Sequence, residues 1–334
     1  MNTSYGAPGG PAPRARPVVV MTGASTGIGQ AAARAMLAAR GDARPARLII
    51  GARDPAAVQI ALAAAARDAG VRCDVCALDL ASLASIAAFV DQVGTLLGDR
   101  QIDAVVGNAG IQTTERVEWS ADGHELTFAV NALANAALVW GLAPRLAPCA
   151  RVIVTASGTH DPNDRGARRF GFRGGRYTSA RALAAGQVEP GTSAVQAGRD
   201  RYATSKLCVL LLVREWARRR QGDAFVPLAY DPGLVPGTGL ARDYPPLLKW
   251  AWHHVMPTVA RLMPGASTKE RSGDTLAWMA TAPDFTPESG TYLQFDRTPA
   301  PAWEAIDNRD WASDLWHTCA ALCAPALPAA TTAS

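Results

Sequence analysis

The stretch VVVMTGASTGIGQAAARAML, residues 18–37, sets how the chain begins to fold. A short apolar run stops at a turn that holds Gly23, Gly27 and Gly29, and an alanine-rich helical pattern follows at once. In a parallel sheet covered by helices, the turn from the first strand into the first helix binds the pyrophosphate of a dinucleotide, against amides at the positive end of the helix. Glycines suit that turn because a Cβ would block the approach of the backbone to a phosphate or strain a positive φ. The turn therefore predicts a dinucleotide site, with a glycine-rich turn that holds no ligand as the alternative.

Apolar runs alternate with helical patterns along most of the chain. Alternation of this kind, with strands apolar throughout, predicts a doubly wound α/β fold, in which one parallel sheet carries helices on both faces. A last helix near 272–282 precedes a last strand in 290–295. The expected organisation is a disordered lead over 1–16, one Rossmann-fold domain over 17–325 and a disordered tail over 326–334. The strand patterns are 17–23, 46–53, 72–80, 102–110, 150–157 and 225–233, and the helical patterns between them include 82–98, 122–142 and 200–220.

Two segments interrupt the alternation. Residues 158–199 are rich in Gly and Arg with little apolar periodicity, and 236–268 is rich in Pro, Trp and Leu. Both follow strands, on the side where such sheets bind ligands. We interpret the first as an insertion and the second as a substrate lid.

Composition excludes several classes of protein. The net charge of the 334 residues is only +4, with basic residues spread along the chain, so nucleic-acid binding is not expected. No apolar run approaches the length of a membrane span, and we expect a cytoplasmic protein that does not associate with membranes, with a membrane-interface helix within 244–263 as the alternative to a substrate lid. Six cysteines are too few for a disulfide framework, and the spacing of Cys73 and Cys76 on a predicted strand points them to opposite faces, so no metal site is expected.

The end of the second predicted strand indicates which dinucleotide would bind. An acid there would bind the ribose 2′-hydroxyl of NAD, whereas a guanidinium suits a 2′-phosphate by charge and bidentate geometry. The sequence has Ala52 followed by Arg53, which favours NADP(H). The alternative is that Arg53 is a solvated loop charge.

A candidate catalytic pair lies in YATSK, residues 202–206. Tyr202 and Lys206 are four residues apart and share one helical face. A phenol has a pKa of about 10, and an adjacent ammonium lowers that pKa and improves acid–base catalysis near neutral pH. Taken alone the pattern is weak, because surface helices often contain it.

Six motifs together resemble the short-chain dehydrogenase/reductase family. They are TGASTGIG, GNAG, Asn131 in a helix, Ser157 closing RVIVTAS, YATSK, and DPG at 231–233. GARD, LDLASLASI, DGHELTFAVN, SGTH and PGLVPGTGL are similar to the branch that contains retinol dehydrogenases and light-dependent protochlorophyllide reductases.

The resemblance implies a catalytic tetrad of Asn131, Ser157, Tyr202 and Lys206. Tyr202 would protonate a carbonyl oxygen as hydride arrives from the nicotinamide, Ser157 would hold that oxygen, Lys206 would lower the tyrosine pKa and bind the nicotinamide ribose, and Asn131 would position a water. Asn131, Ser157 and Asp79 also have structural interpretations, as a helix residue, a turn residue and a helix N-terminal acid. The expected cofactor contacts are Thr22, Gly23, Ser25, Thr26, Gly27, Ile28, Gly29, Arg53, Asp79, Leu80, Asn108, Ala109, Gly110, Lys206, Pro232, Gly233, Val235 and Thr238.

The chain departs from the family pattern at Gly107, where the usual motif has Asn, and at Leu234, where the protochlorophyllide reductases have Cys. The first departure is expected to matter little, and the second argues against a pigment reductase. Eight arginines and four acids between 158 and 201 form either a solvated flap or a surface that attracts an anionic or polar substrate.

These observations predict an NADPH-dependent reductase of a ketone or aldehyde on a bulky hydrophobic or aromatic substrate. The alternatives are reduction of a carbon–carbon double bond, or a catalytically silent member of the family that binds NADP(H) as a regulator. A homodimer or homotetramer is implied by resemblance only, and the alanine- and arginine-rich composition fits bacterial secondary metabolism.

Overall fold

The computed structural model describes residues 16–113, 116–219, 225–236 and 265–327. Thr238 and most of the expected lid, 236–268, lie outside the described residues, as do 1–15 and 328–334.

The described residues contain one seven-stranded sheet in which every neighbouring pair of strands is parallel. Its order, β3-β2-β1-β4-β5-β6-β7, reverses direction between β1 and β4, which confirms the doubly wound α/β expectation. The inner strands β1, β2 and β4 are largely apolar runs that are buried on both faces, as is typical of parallel strands, whereas the edge strand β3 is partly exposed. The strands are β1 Val18–Thr22, β2 Arg47–Ala52, β3 Arg72–Ala77, β4 Ile102–Gly107, β5 Leu146–Thr155, β6 Phe225–Asp231 and β7 Tyr292–Gln294.

Helices cover both faces of the sheet and divide the apolar core into two clusters. One cluster packs α1, α2 and α9 against the sheet, and the other packs α3, α5, α8 and α10 against the opposite face. The described helices are α1 Gly27–Ala38, α2 Pro55–Ala69, α3 Leu83–Leu97, α4 Leu126–Phe128, α5 Ala134–Leu142, α6 Arg165–Arg169, α7 Ala180–Ala184, α8 Ala194–Arg219, α9 Lys269–Thr281 and α10 Arg309–Cys323, with a π-helical turn at Ala129–Leu133 that joins α4 to α5.

Several boundaries differ from the sequence prediction. The helix expected over 122–142 begins at Leu126, because the Glu125 carboxylate accepts hydrogen bonds from the Thr127 and Phe128 amides and caps it. The insertion 158–199 is less irregular than expected, since it contains α6 and α7, and α8 already begins at Ala194.

Both ends of the described chain are packed where disorder was expected. The Arg16 guanidinium donates hydrogen bonds to the Arg44 and Pro45 carbonyls. At the other end, Leu327 is buried in the core beside α10. Arg16 and Leu327 therefore contact the folded domain, and the expected disorder of the residues beyond them stays a prediction.

Helix α10 is an element that the sequence analysis did not identify as a helix of the fold. Trp316 from this helix packs edge-to-face on Trp140 of α5 with ring centroids 5.1 Å apart. The Asp314 carboxylate accepts hydrogen bonds of 2.7 Å from the Tyr177 hydroxyl and from the Ala180 amide. Helix α10 therefore fixes the insertion to the body of the domain.

The segment Leu126–Arg145 is the described stretch whose length and mean hydropathy of 1.6 would suit a membrane span. The segment is 89% buried inside the fold. Because burial of this extent is typical of a core helix, the hydropathy follows from the position of α5 between α3 and α10.

Cys73 and Cys76 of β3 face opposite sides of the sheet, each against a different core cluster. Cys319 and Cys323 of α10 are buried in the core. Ordinary packing therefore accounts for all four thiols.

Candidate active site

A cavity of about 930 Å³ lies along the carboxyl edge of the sheet. Its walls include the ends of β1, β2, β4, β5 and β6, so it occupies the place where open α/β sheets bind ligands. Most of the described residues that the sequence singled out line this cavity: Thr22, Gly23, Ser25, Thr26, Gly27, Ile28, Arg53, Asp79, Leu80, Asn108, Ala109, Gly110, Ser157, Tyr202, Lys206, Pro232, Gly233 and Val235.

Gly29 and Asn131 do not line the cavity. Gly29 lies behind the glycine turn, where a Cβ would collide with the Gly23 carbonyl oxygen, so this glycine permits close packing of α1 on the turn. Asn131 lies behind Gly110. Both residues therefore contact residues that line the cavity without lining it themselves.

The glycine turn presents the start of α1 to the cavity. Gly23 and Gly27 have φ values of +75° and +60°, which glycine adopts without strain. Thr26 makes no side-chain cap, whereas α2, α3, α9 and α10 are each capped by a side chain of the N-cap residue. The first amides of α1 therefore lack the side-chain acceptor that those helices have, and they could hold the pyrophosphate of a dinucleotide.

Asn108 ties the glycine turn to the centre of the sheet. Its side-chain amide donates to the Gly23 carbonyl at 3.2 Å, and its Oδ1 accepts from the Thr155 hydroxyl at 3.3 Å. The Ala109 amide donates to the Thr22 hydroxyl at 3.2 Å. These bonds fix the ends of β1, β4 and β5 relative to one another and so set the width of the cavity floor.

Arg53 follows β2 at the opposite end of the cavity from Tyr202. Its side chain is exposed and lines the cavity, and no residue in the described part of the chain forms an ion pair with it. Asp79 also lines the cavity, and its Oδ1 accepts the Ala81 amide at 3.0 Å in the turn that leads into α3. Arg53 could meet a phosphate and Asp79 an adenine, although Asp79 also has a local structural role.

Tyr202 and Lys206 lie on one face of α8 and both are buried, with the Lys206 ammonium 5.7 Å from the centroid of the Tyr202 ring. The ammonium donates a 2.7 Å hydrogen bond to the Thr155 carbonyl, which anchors it to the end of β5. Ser157 follows the same strand, and its hydroxyl accepts from the Thr159 amide at 3.3 Å. The three candidate catalytic side chains therefore converge where β5 meets α8.

Burial controls the ionisation of this pair. It raises the pKa of Tyr202 above the usual value for a phenol, the nearby Asp231 carboxylate raises it further, and Ser157 beside the phenol lowers it. Burial also lowers the pKa of Lys206 to about 8, an effect that Asp231 opposes. The sequence predicts that Lys206 lowers the tyrosine pKa, but the net direction is upward because desolvation of the phenolate and the charge of Asp231 together outweigh the hydrogen bond of Ser157.

Asn131 lies in the π-helical turn Ala129–Leu133. Its Oδ1 accepts the Ile111 amide at 2.8 Å, and its side-chain amide donates to the Ile111 carbonyl and to the Ser205 hydroxyl, each at 2.9 Å. The side chain therefore binds the loop after β4 to α8. This geometry gives Asn131 a structural contribution in addition to any part in proton relay.

Asn135 is a residue whose role the sequence analysis did not identify. Its side-chain amide donates to the Asn131 carbonyl at 2.8 Å. Its Oδ1 occupies the space that a Cβ at Gly107 would need. The glycine at 107 and the asparagine at 135 are thus complementary in shape. In the sequence, Gly107 stands out as a departure from the family pattern, but this departure alone does not identify Asn135 as its partner.

His160 is fully buried and does not face the cavity. Its Nε2 lies 3.3 Å from the Trp303 amide, which donates to it, so its Nδ1 donates to the Ser157 carbonyl at 2.8 Å. Burial lowers the pKa of this imidazole. His160 therefore holds the turn after Ser157 as a neutral structural residue.

Helix α6 forms a wall of the cavity that the sequence did not predict. Ala167 of α6, Phe170 and Phe172 pack with Tyr202, and the Phe172 and Tyr202 ring centroids are 5.9 Å apart. The insertion therefore reaches the candidate proton donor itself.

The arrangement combines a helix start without a side-chain cap, a buried phenol that carries its proton at neutral pH, and an ammonium within the same cavity. An oxygen atom that lies beside Ser157 and gains negative charge during a reaction could take a proton from Tyr202.

Comparisons with known proteins agree with this geometry. A family model described as short chain dehydrogenase matches residues 17–165. The chain is 32% identical over 310 residues to a Streptomyces protein named "Putative daunorubicin C-13 ketoreductase DnrU", covering 91% of each, and 31% identical to protochlorophyllide reductase B of Hordeum vulgare, covering 84% of this chain and 71% of the relative.

Among solved structures, an NADPH-bound carbonyl reductase from chicken fatty liver has the same fold, with a TM-score of 0.60, 19% identity, and coverage of 87% of this chain and 96% of that one. The relatives at 30% identity or above extend the match beyond the segment of the family model. The chain therefore belongs to the short-chain dehydrogenase family.

Proposed function

We propose that the protein reduces a ketone or aldehyde on a bulky hydrophobic or aromatic substrate, with NADPH as the hydride donor and Tyr202 as the proton donor. The observation that carries the proposal is the continuous cavity that runs from Arg53 and the start of α1 to Tyr202, Ser157 and Lys206. A cavity of about 930 Å³ has room for a dinucleotide together with part of a substrate.

The choice of NADP(H) rests on the end of β2. Ala52 offers no carboxylate to a ribose 2′-hydroxyl, and Arg53 lines the cavity without an ion-pair partner in the described part of the chain. A guanidinium in this position suits a 2′-phosphate. The chicken carbonyl reductase, whose solved structure contains NADPH, supports the same choice.

Each candidate catalytic side chain has a definite task in this reaction. When bound, the nicotinamide supplies a hydride to the carbonyl carbon. Tyr202, whose pKa is raised by burial, keeps its proton through neutral pH and donates it to the carbonyl oxygen. Ser157 holds that oxygen by a hydrogen bond, and the Lys206 ammonium stabilises the phenolate that remains.

The wall near Tyr202 supports a bulky apolar substrate. Its apolar members include Ile111, Leu126, Val130, Phe170 and Phe172. Aromatic side chains of this kind contribute large apolar contact area to a ring system. The printed name of the Streptomyces relative, a ketoreductase, agrees with a carbonyl as the reducible group.

The test is NADPH oxidation by the purified protein with a panel of aryl ketones and aryl enones, with the products identified by mass spectrometry. The proposal predicts alcohols from both substrate sets, and saturated ketones from the enones would support the alternative of double-bond reduction. Tight NADPH binding with no turnover of any member would instead favour the silent regulatory protein, against which the presence of Ser157, Tyr202 and Lys206 in one cavity counts.

A further inference from the structure

Helix α6 carries two cationic side chains on the cavity wall. Arg165 and Arg169 are one helical turn apart, and both line the cavity. Ala167, which lies between them in sequence, packs with the cluster around Tyr202. The two guanidinium groups therefore border the part of the cavity where the substrate meets the proton donor.

These two arginines differ from the arginines in and beside the insertion that form ion pairs. Arg173 is paired with Asp200 and Glu189, Arg176 with Glu189, and Arg201 with Glu125. By contrast, neither Arg165 nor Arg169 has an ion pair or a side-chain hydrogen bond among residues 16–113, 116–219, 225–236 and 265–327. Arg168, Arg181 and Arg199 also lack an ion pair in the described part of the chain, but they do not line the cavity. Arg165 and Arg169 are therefore the arginines of the insertion that are unpaired among the described residues and also border the cavity.

The acids on this wall form no ion pair with the two arginines in the described chain. Asp164, which directly precedes Arg165, also lines the cavity, and its Oδ1 accepts the Ala167 amide at 2.7 Å as the cap of α6. Glu118 also lines the cavity and is exposed, with no ion pair to either arginine in the described chain. The charge of the two guanidinium groups is therefore available to a ligand.

The two arginines are separate from the site proposed for the cofactor phosphate. Arg53 follows β2, whereas α6 follows β5, and β1 and β4 lie between these strands. Three strand spacings of about 4.8 Å place the ends of β2 and β5 about 14 Å apart. One phosphate group therefore cannot contact both sites, and the cofactor pyrophosphate is already assigned to the start of α1, which leaves the two arginines of α6 for an anion on the substrate.

We infer that Arg165 and Arg169 bind a carboxylate on the substrate, so that the preferred substrates are aromatic or polycyclic ketones that carry an acid group. The inference rests on the proposed function and assigns its substrate class. A guanidinium matches a carboxylate with two parallel hydrogen bonds, and two guanidinium groups one turn apart can hold one carboxylate between them. Phe170 and Phe172 contact the apolar body of the same molecule.

The test compares two probes that differ only in charge, 4-oxo-4-phenylbutanoate and its methyl ester. We expect the wild-type protein to favour the acid by about tenfold in kcat/KM, and NaCl to reduce this preference. The double variant Arg165→Gln/Arg169→Gln should lose the preference, so that its kcat/KM values for acid and ester become equal. Arg168→Gln is the matched control, because Arg168 is exposed on the same helix and does not line the cavity.

Equal kcat/KM values for acid and ester in the wild type, or a preference that survives in the double variant, would overturn the inference. Dissociation constants of both probes for the protein–NADP⁺ complex separate this outcome from failure of the proposed function. Acid-selective binding that the double variant loses, without turnover of either probe, would contradict ketone reduction and keep the carboxylate site. Equal binding of both probes without turnover would contradict both.

Discussion

A side chain at Gly107 should destabilise the protein because of Asn135. Gly107 ends β4, where it pairs with Thr22 of β1 and Val154 of β5, so the backbone there cannot move away. A Cβ at this position would overlap the Oδ1 atom of Asn135. To make room, Asn135 must move and lose its 2.8 Å hydrogen bond to the Asn131 carbonyl.

The size of the effect follows from these two costs. Overpacking a rigid core costs about 1–3 kcal/mol, and a buried hydrogen bond contributes about 1 kcal/mol, so Gly107→Ala should lower the free energy of unfolding by about 2–4 kcal/mol. In the double variant Gly107→Ala/Asn135→Ala the added methyl group enters the space vacated by the amide. The double variant should therefore be about as stable as Asn135→Ala alone, which amounts to a coupling energy equal to the cost of Gly107→Ala, about 2–4 kcal/mol.

The assay is urea unfolding of the four proteins, followed by tryptophan fluorescence, since Trp140 and Trp216 are buried in the core. If the loss of stability in the double variant equals the sum of the losses in the two single variants within about 0.5 kcal/mol, Gly107 and Asn135 do not interact, and the steric argument is refuted.

Three further predictions follow from other parts of the structure. Because Lys206 is charged below its pKa of about 8 and neutral above it, kcat/KM for reduction should fall about tenfold per pH unit above pH 8, and Lys206→Arg should move this break to higher pH; a profile flat to pH 10 would contradict it. Arg53→Ala should raise the Kd for NADPH about tenfold and leave that for NADH unchanged, measured by fluorescence titration; equal effects on both would remove Arg53 from the phosphate site. Asp314→Ala removes the acceptor of the Ala180 amide and leaves the Tyr177 hydroxyl only its longer, 3.2 Å hydrogen bond to the Trp311 carbonyl, so it should lower the free energy of unfolding by about 2 kcal/mol without affecting NADPH binding; an unchanged urea midpoint would show that the Asp314 contacts do not hold the insertion.

Local signals predicted the sheet and much of the cavity. Each strand is a short apolar run that ends in a turn, and the direction of a parallel sheet brings those turns to one edge. Gly23, Asn108, Ser157 and Lys206 follow or face such ends, so their convergence could be expected from order along the chain alone. The roles assigned to these residues remain predictions.

Features that depend on contacts distant in sequence were not predictable. The π-helical turn at Asn131 is only five residues long, which is too short to produce a recognisable hydrophobic period in the sequence. The complementarity of Gly107 and Asn135 appears only when β4 and α5 pack together. The insertion was interpreted as irregular because α6 and α7 are short, and short helices are stabilised by tertiary contacts such as those to Asp314.

The net direction of the Tyr202 pKa was also beyond the sequence. Spacing shows that Lys206 lies near the phenol, but it does not give the burial of either group. Burial decides the result here, because removing water penalises the phenolate and the ammonium alike.

The most direct test of the central claim is the kcat/KM of the wild-type protein and of Tyr202→Phe for NADPH-dependent reduction of methyl 4-oxo-4-phenylbutanoate, with the Kd for NADPH measured in parallel. If Tyr202 donates the proton, the variant should lose at least about 100-fold in kcat/KM while its Kd for NADPH stays within about twofold. A variant that reduces the ketone as fast as the wild type would show that the proton comes from another group, and the proposed site would be wrong.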